Sequence, residues 1–350
     1  MSAGLVAAPS AVDAVTRSRV RRASRWRLVV VVLALLVVAA YAVTLMVGRT
    51  VYPPGDVLRV VLGQDVPGAS FTVGRLRLPR ATLAVVAGLS FGLSGVTFQT
   101  MLRNPLASPD VIGISTGASA AAAVAIVVLG LGGTAVSVFA IIAGLTVALL
   151  IYLLAYKDGG AGTRFILIGI GMAAMLHSVI AYVLSRAGQW DLQEATRWLS
   201  GSLNGVTWER TLPALVVLVV LGPVLLSQTR DLSAIGLGDD AASALGVRVE
   251  RTRIVAIIAA VGVIAFATAA CGPIAFVAFL SGPIAARIVG PNGSLLVPAA
   301  LVGALLVLVA DLCGQFAFGT RFPVGVVTGV LGAPYLIYLI VRTNRAGGSL

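Results

Sequence analysis

Runs of apolar residues long enough to cross a membrane are what most constrain this chain. A helix that spans the hydrocarbon core of a bilayer needs about 20 consecutive apolar residues. Leu28–Gly48 (LVVVVLALLVVAAYAVTLMVG) supplies such a run at once. Only 11% of the residues are charged, where soluble domains carry about 25%, and mean hydropathy is +1.03. Ala40-Tyr41-Ala42 has the small-x-small pattern of a signal-peptide cleavage site. A long polar region precedes it, however, and the apolar run continues to Val47 without a pause, which favours an uncleaved span.

Glycine and proline punctuation divides the chain into about ten apolar segments. They are Leu28–Gly48, Ala81–Met101, Val111–Leu129, Ala135–Tyr156, Phe165–Ser185, Thr211–Ser227, Ile254–Ala270, Ile274–Val289, Leu295–Gln315 and Val324–Val341. A short surface helix is expected near Tyr52–Asp56, and Arg186–Arg210 reads as a polar connection holding three of the four tryptophans. The expected fold is an all-α polytopic membrane bundle of about ten helices. Residues 1–27 form a basic cytoplasmic segment, 28–341 a single transmembrane domain and 342–350 a cytoplasmic tail. With alternating sides, sixteen of the 25 Lys and Arg residues fall on the side of the amino terminus. That bias places both termini in the cytoplasm. Stretches such as AGLSFGLSGVTF and GISTGASAAAA are rich in small residues, which let helix backbones approach closely inside a membrane.

The formal net charge of +12 does not point to nucleic acid, because the basic residues are scattered between apolar runs without a basic domain. Phosphate-loop chemistry needs Gly-Lys-Ser/Thr. The single lysine is Lys157, followed by Asp158, so this chain does not hydrolyse ATP by that route. Cys271 and Cys313 lack metal-type spacing and read as buried free thiols. The only histidine, His177, reads as a packing residue, with a pathway-lining role left open. Asp311 is the only carboxylate deep inside a span, and an intramembrane carboxylate is either functional or bonded to a neighbouring helix. The lone Asp239-Asp240 pair falls short of the two spaced aspartate-rich motifs of membrane prenyltransferases. An ion-coupled carrier would show more intramembrane carboxylates than one.

Two polar stretches interrupt the apolar pattern. Arg230–Arg253 (RDLSAIGLGDDAASALGVRVERTR) reads as two short helices about a glycine turn at Gly236 and Gly238. Asp239 or Asp240 is expected to cap the helix Ala241–Leu245 and Gly246 to end it. Its apolar residues call for a partner, so it is either a solvated connector or a docking element. Between the second and third spans, Phe98–Ala120 (FQTMLRNPLASPDVIGISTGASA) carries two prolines and charged residues amid apolar neighbours.

Several segments together resemble the FecCD-type permeases of ABC importers, which carry ferric siderophores, haem and cobalamin. They are RLPR (Arg77–Arg80), GLSGVTFQTMLRNPLASPDVIGISTGA (Gly92–Ala118), WLSGSL (Trp198–Leu203), LGDDAASALGV (Leu237–Val247), CGPIAFVAF (Cys271–Phe279) and FPVGVVTGVLGAPYLIYL (Phe322–Leu339). The resemblance runs in family order through most of the chain from residue 75 onward and is closest to the ferric-siderophore branch. It implies ten helices per chain and a route between the two permease chains of a non-identical pair. It further implies two copies of an ATPase that hold ATP and Mg, an extracytoplasmic siderophore-binding protein, location in the plasma membrane, and no cofactor or metal in this chain. Leu237, Gly238, Asp239, Asp240, Ala242, Leu245 and Gly246 then belong to the coupling helices seated in the ATPase. Arg77, Arg80 and Arg321 occupy positions that receive glutamates of the binding protein. Asn104–Asp110 becomes a tight cytoplasmic crossover in which Pro105 and Pro109 end the helices, with Gly113 and Gly117 beyond it packing closely or bordering the pathway. The chain departs from the family in reading SGPIAAR near Arg287, with Gly282-Pro283 in place of Pro-His, and in having Gln315 where an arginine is usual.

Overall fold

The computed structural model describes residues 11–110, 112–155 and 162–345. Lys157, Asp158 and the first residue of the expected third span, Val111, lie outside them, as do residues 1–10 and 346–350 of the two expected cytoplasmic segments. The described residues are helical, without strands. In order they form α1 (Ala11–Met46), α2 (Pro54–Val61), a π-helical segment (Ser70–Arg77) running straight into α3 (Leu78–Met101), α4 (Ile114–Val127) and α5 (Thr134–Ala155). Then come α6 (Gly162–Ser185), α7 (Gln189–Leu199), α8 (Trp208–Ser227), α9 (Thr229–Ile235) and α10 (Asp239–Ala244). The chain closes with α11 (Val249–Cys271), α12 (Val277–Val289), α13 (Leu296–Phe316) and α14 (Val324–Arg345).

Seven of these helical stretches are long and apolar enough to cross a membrane, and α4, α12 and the apolar part of α14 are shorter apolar helices. Each matches one of the ten apolar segments read from the sequence. The π-helical segment and α7 were not foreseen, the latter lying in what read as a plain polar connection.

α3 and α11 form the centre, buried along most of their length. The outer helices instead show large apolar side chains, among them Leu149 and Leu153 of α5 and Val216, Val219 and Val220 of α8. In water such a surface would be prohibitive; beside lipid tails it costs nothing.

Glycines hold the centre together. Gly88, Gly92 and Gly95 recur on one face of α3, and each lies backbone to backbone with a neighbour. A Cβ at Gly95 would stand 2.6 Å from the carbonyl carbon of Ala278 in α12. One at Gly92 would come within 3.0 Å of Ala299 and Ala300 in α13, and one at Gly88 within 2.7 Å of the Ala304 nitrogen. Lipid competes for apolar surface as well as protein does, so helix association in a membrane depends on such close contact. Ser94 adds a polar tie, donating from Oγ to the Ala260 carbonyl of α11 at 2.9 Å.

Candidate functional site

The chain carries polar constructions at both ends of the bundle, two at each end. The first is the α9–α10 element. α10 starts after Gly238, whose φ of +121° suits a residue without a side chain. The expected aspartate cap is absent: Gly238 holds the cap position without a side-chain bond. Gly236 has helical angles, so Gly238 alone makes the turn, while Gly246 ends the element in the left-handed region as expected. Asp239 has a different task. Both its oxygens accept from Arg253 Nη2 of α11, at 2.9 and 2.8 Å, and Arg103 lies 3.7 Å away on the other side. One carboxylate therefore joins the short helix to the foot of α11 and to the start of the crossover. Ala242 is buried beneath it, while Leu237 and Leu245 are 73% and 68% exposed. Two bare leucines on a firmly tethered element form a contact surface without an occupant among the described residues.

The crossover itself lies beside this element. α3 ends at Met101, before Pro105, because Arg103 takes a positive φ of 51°. α4 begins after Gly113, with φ +91°. The turns at Arg103 and Gly113, rather than Pro105 and Pro109, are where the helices stop and start. Asn104 Oδ1 accepts from the Leu106 amide at 2.9 Å, a local turn bond. Gln99, buried in α3, donates from Nε2 to the carbonyls of Pro105 (2.9 Å) and Phe279 (3.0 Å), tying the crossover to α12. A side chain at Gly282 would overlap the Gln99 amide, so the glycine in SGPIAAR is what admits Gln99. Gly113 and Gly117 pack closely, the first against Gly169 and Ala173 of α6 and the second against Val147 of α5. Asp110 Oδ1 accepts from Ser115 Oγ at 2.6 Å. Burial pushes its carboxyl above the usual carboxylate range, and the Ser115 bond opposes that rise.

At the other end of the bundle, a groove of about 540 Å³ is lined by Arg49, Arg77, Arg80 and Arg321 among other residues. Arg77 reaches back to the end of α1, donating from Nη1 to the carbonyls of Leu45 (2.9 Å) and Met46 (2.8 Å) and from Nη2 to that of Thr50 (2.6 Å). These carbonyls have no partners within the helix, and a cation at a helix C-terminus also meets its dipole favourably. Arg49 and Arg321 are exposed and form no hydrogen bond or ion pair with any described residue.

Arg80, which lines the same groove, ties α3 to α13 and to the loop before α8. Its Nε and Nη2 donate to the two oxygens of Asp311 in α13 at 2.8 and 2.7 Å, and Nη1 donates to Asn204 Oδ1 at 2.7 Å. Gln315, one turn along α13, adds a third donor to Asp311 at 2.8 Å. Of the two roles left open for Asp311, the geometry is that of a bond to a neighbouring helix. Its Arg80 partner is 15% exposed and Asp311 itself 3%. Removing one member of a buried pair strands the other, which costs about 3–5 kcal/mol. Arg80→Ala is therefore expected to lower unfolding stability in detergent by that amount, and Arg80→Leu combined with Asp311→Leu to recover most of it.

His177 lies on an exposed face of α6 with Leu167, Ile170, Met175, Val179 and Tyr182. It is not packed among the described residues, which corrects the reading from sequence. Residues missed from sequence are Gln99, Asn204 and Arg253. Each is an unremarkable polar side chain whose task becomes visible only when a partner distant in sequence comes beside it.

Comparison with known proteins agrees with this architecture. Residues 30–342 match the model of the FecCD transport family. The ferric enterobactin transport system permease protein FepG of Escherichia coli K12 is 40% identical over 85% of this chain and 91% of its own length. The achromobactin transport system permease protein CbrC of Dickeya dadantii is 36% identical over 89% and 90%. The iron(3+)-hydroxamate import system permease protein FhuG of Bacillus subtilis is 34% identical over 91% and 97%. Among solved structures, a metal-chelate type ABC transporter in an inward-facing conformation superposes with a TM-score of 0.80 at 27% identity, covering 89% of this chain and 98% of that one. With a helix for each of its ten apolar segments and a family match across nearly its whole length, the chain belongs to the FecCD transport family.

Proposed function

We propose that this chain is the permease subunit of an importer that carries a ferric siderophore across the plasma membrane, driven by a separate ATPase. The observation that carries the reading is the α9–α10 element, with Leu237 and Leu245 bare and Asp239 tied to both α11 and the crossover. A passive connector has no use for exposed leucines on a clamped helix. A groove in an ATPase subunit does, and movement delivered there would reach the central helix directly. The similarity to permeases of ferric enterobactin and iron(3+)-hydroxamate systems supports the cargo class.

The remaining partners follow from surfaces. The apolar face of α6 around His177 suits a second, non-identical permease chain, with the cargo route between the two. The groove lined by four arginines suits the acidic side chains of an extracytoplasmic binding protein. Arg321, with Arg49, has its guanidinium free for a bidentate grip, while Arg77 and Arg80 fix the wall and add to the field. ATP and Mg belong to the ATPase, and we assign this chain no cofactor of its own.

Reconstitution tests this reading. The permease pair alone in liposomes is expected to accumulate no ferric siderophore, and addition of its ATPase, binding protein and ATP to start accumulation. Uptake by the permease pair without the ATPase would overturn it.

A further inference from the structure

Beside the four-arginine groove lies a second one, of about 570 Å³, between α7 and the loops that precede α8 and α12. The two grooves meet at Asn204 and Gly205, which line both. We infer that the second groove is a landing site for the cargo itself, and that it selects anionic chelates whose donor groups are carried on aromatic rings. This inference rests on the importer reading above and names the cargo chemistry that reading leaves open.

Three observations support it. First, the floor is rigid. The Ser202 amide donates to the Cys271 carbonyl at 2.7 Å, and the Gly325 amide to that of Gly201 at 3.1 Å. Gly201 and Gly272, at φ +66° and +75°, lie so close to the Pro273 and Trp198 carbonyls that a side chain on either would overlap them. Three parts of the chain, before α8, before α12 and at the start of α14, thus lock through backbone alone. A floor that does not rearrange loses little on binding.

Second, the walls carry unused charge. Arg197 of α7 and Arg210 of α8 both line the groove. Neither guanidinium forms a hydrogen bond or ion pair with a described residue, and neither comes within ion-pair distance of Glu194, the carboxylate that shares the lining. Arg49 and Arg321 in the adjoining groove extend the positive field, while the carboxylate behind them, Asp311, is already paired with Arg80. Two guanidinium groups against one carboxylate leave the lining net positive, and a cleft with such a balance concentrates anionic ligands.

Third, Trp190 and Trp198 line the same groove, and Trp190 is 84% exposed. An indole left so bare beside free guanidinium groups offers a stacking surface for an aromatic ring whose oxygens the arginines can hold. The volume falls within the range of about 300–1,000 Å³ typical of small-molecule sites.

The test uses the full-length chain in lipid nanodiscs, without ATPase or binding protein, and two radio-iron probes. One is the trianionic tris-catecholate complex of iron(III), the other a neutral tris-hydroxamate complex. The catecholate is expected to bind saturably and the hydroxamate at least about tenfold more weakly. Arg197→Gln with Arg210→Gln is expected to weaken catecholate binding about tenfold, Arg197→Lys with Arg210→Lys to keep it within about threefold, and Trp190→Leu to weaken it without changing its salt dependence. Equal binding of the two complexes, or unchanged binding in the glutamine variant, would overturn the inference. Because no nucleotide or ATPase takes part, such a failure leaves the importer reading intact, and a failed reconstitution would leave the binding result standing.

Discussion

Deleting Ala241–Leu245 is expected to abolish ATP-driven import while the chain still inserts into the membrane at its normal level. The segment makes up most of α10, and Ala242 is its buried residue, so little of the bundle's own packing is lost. What goes is the surface framed by Leu237 and Leu245. Burying one leucine against a partner contributes about 1.5–3 kcal/mol, so removing this patch should also stop the ATPase from co-purifying. A finer variant separates contact from transmission. Asp239→Asn keeps both leucines but weakens the charge-assisted bonds to Arg253 and the ion pair with Arg103. It should leave the ATPase bound while lowering import per ATP hydrolysed, read by counting cargo and phosphate in the same liposomes. Import that survives the deletion would show that the drive enters elsewhere.

The second large effect is structural. Gly95→Leu is expected to leave almost no folded protein, measured as monodisperse material after detergent extraction. The obstacle at Gly95 is the Ala278 backbone rather than a flexible side chain, so nothing can swing aside. Overpacking a core typically costs about 1–3 kcal/mol where neighbours can shift, and here they belong to another helix. A control is Gly171→Ala in α6, where a Cβ meets nothing within 4 Å. That change should be neutral or stabilising by up to about 1 kcal/mol, since alanine favours helix. Equal yields from the two variants would rule out the close seam along α3.

The bundle itself could be read from the sequence because apolar length is a property of each segment alone. Leu28–Gly48 needs no neighbour to declare itself. The α9–α10 element was visible for a similar reason: glycines and short apolar residues mark the two helices locally. What escaped was everything set by contact between distant segments. Asp239 has the local features of a helix cap, yet Arg253 takes its carboxylate. Arg80 sits in a short arginine-rich stretch that suggests an outward-facing charge, yet it points at Asp311, far along the chain. His177 looked like a packing residue because an isolated sequence shows no difference between a face turned inward and one turned to lipid or a second chain. α7 was missed because its exposed Trp190 and charged residues give no apolar run, only an amphipathic turn or two.

The shortness of α4 and α12 has a consequence of its own. At about 1.5 Å per residue, helices of 14 and 13 residues are about 20 Å long, well short of the roughly 30 Å hydrocarbon thickness. The chain leading into α4 lies at the Asp239 end of the bundle and the chain leading into α12 at the Trp198 end. Water-tolerant backbone is thereby carried inward from both faces, like dimples pressed into opposite sides of a sheet. Each dimple is walled by its own neighbours, α4 by α5 and α6 and α12 by α3 and α13, so each face is indented at a place of its own.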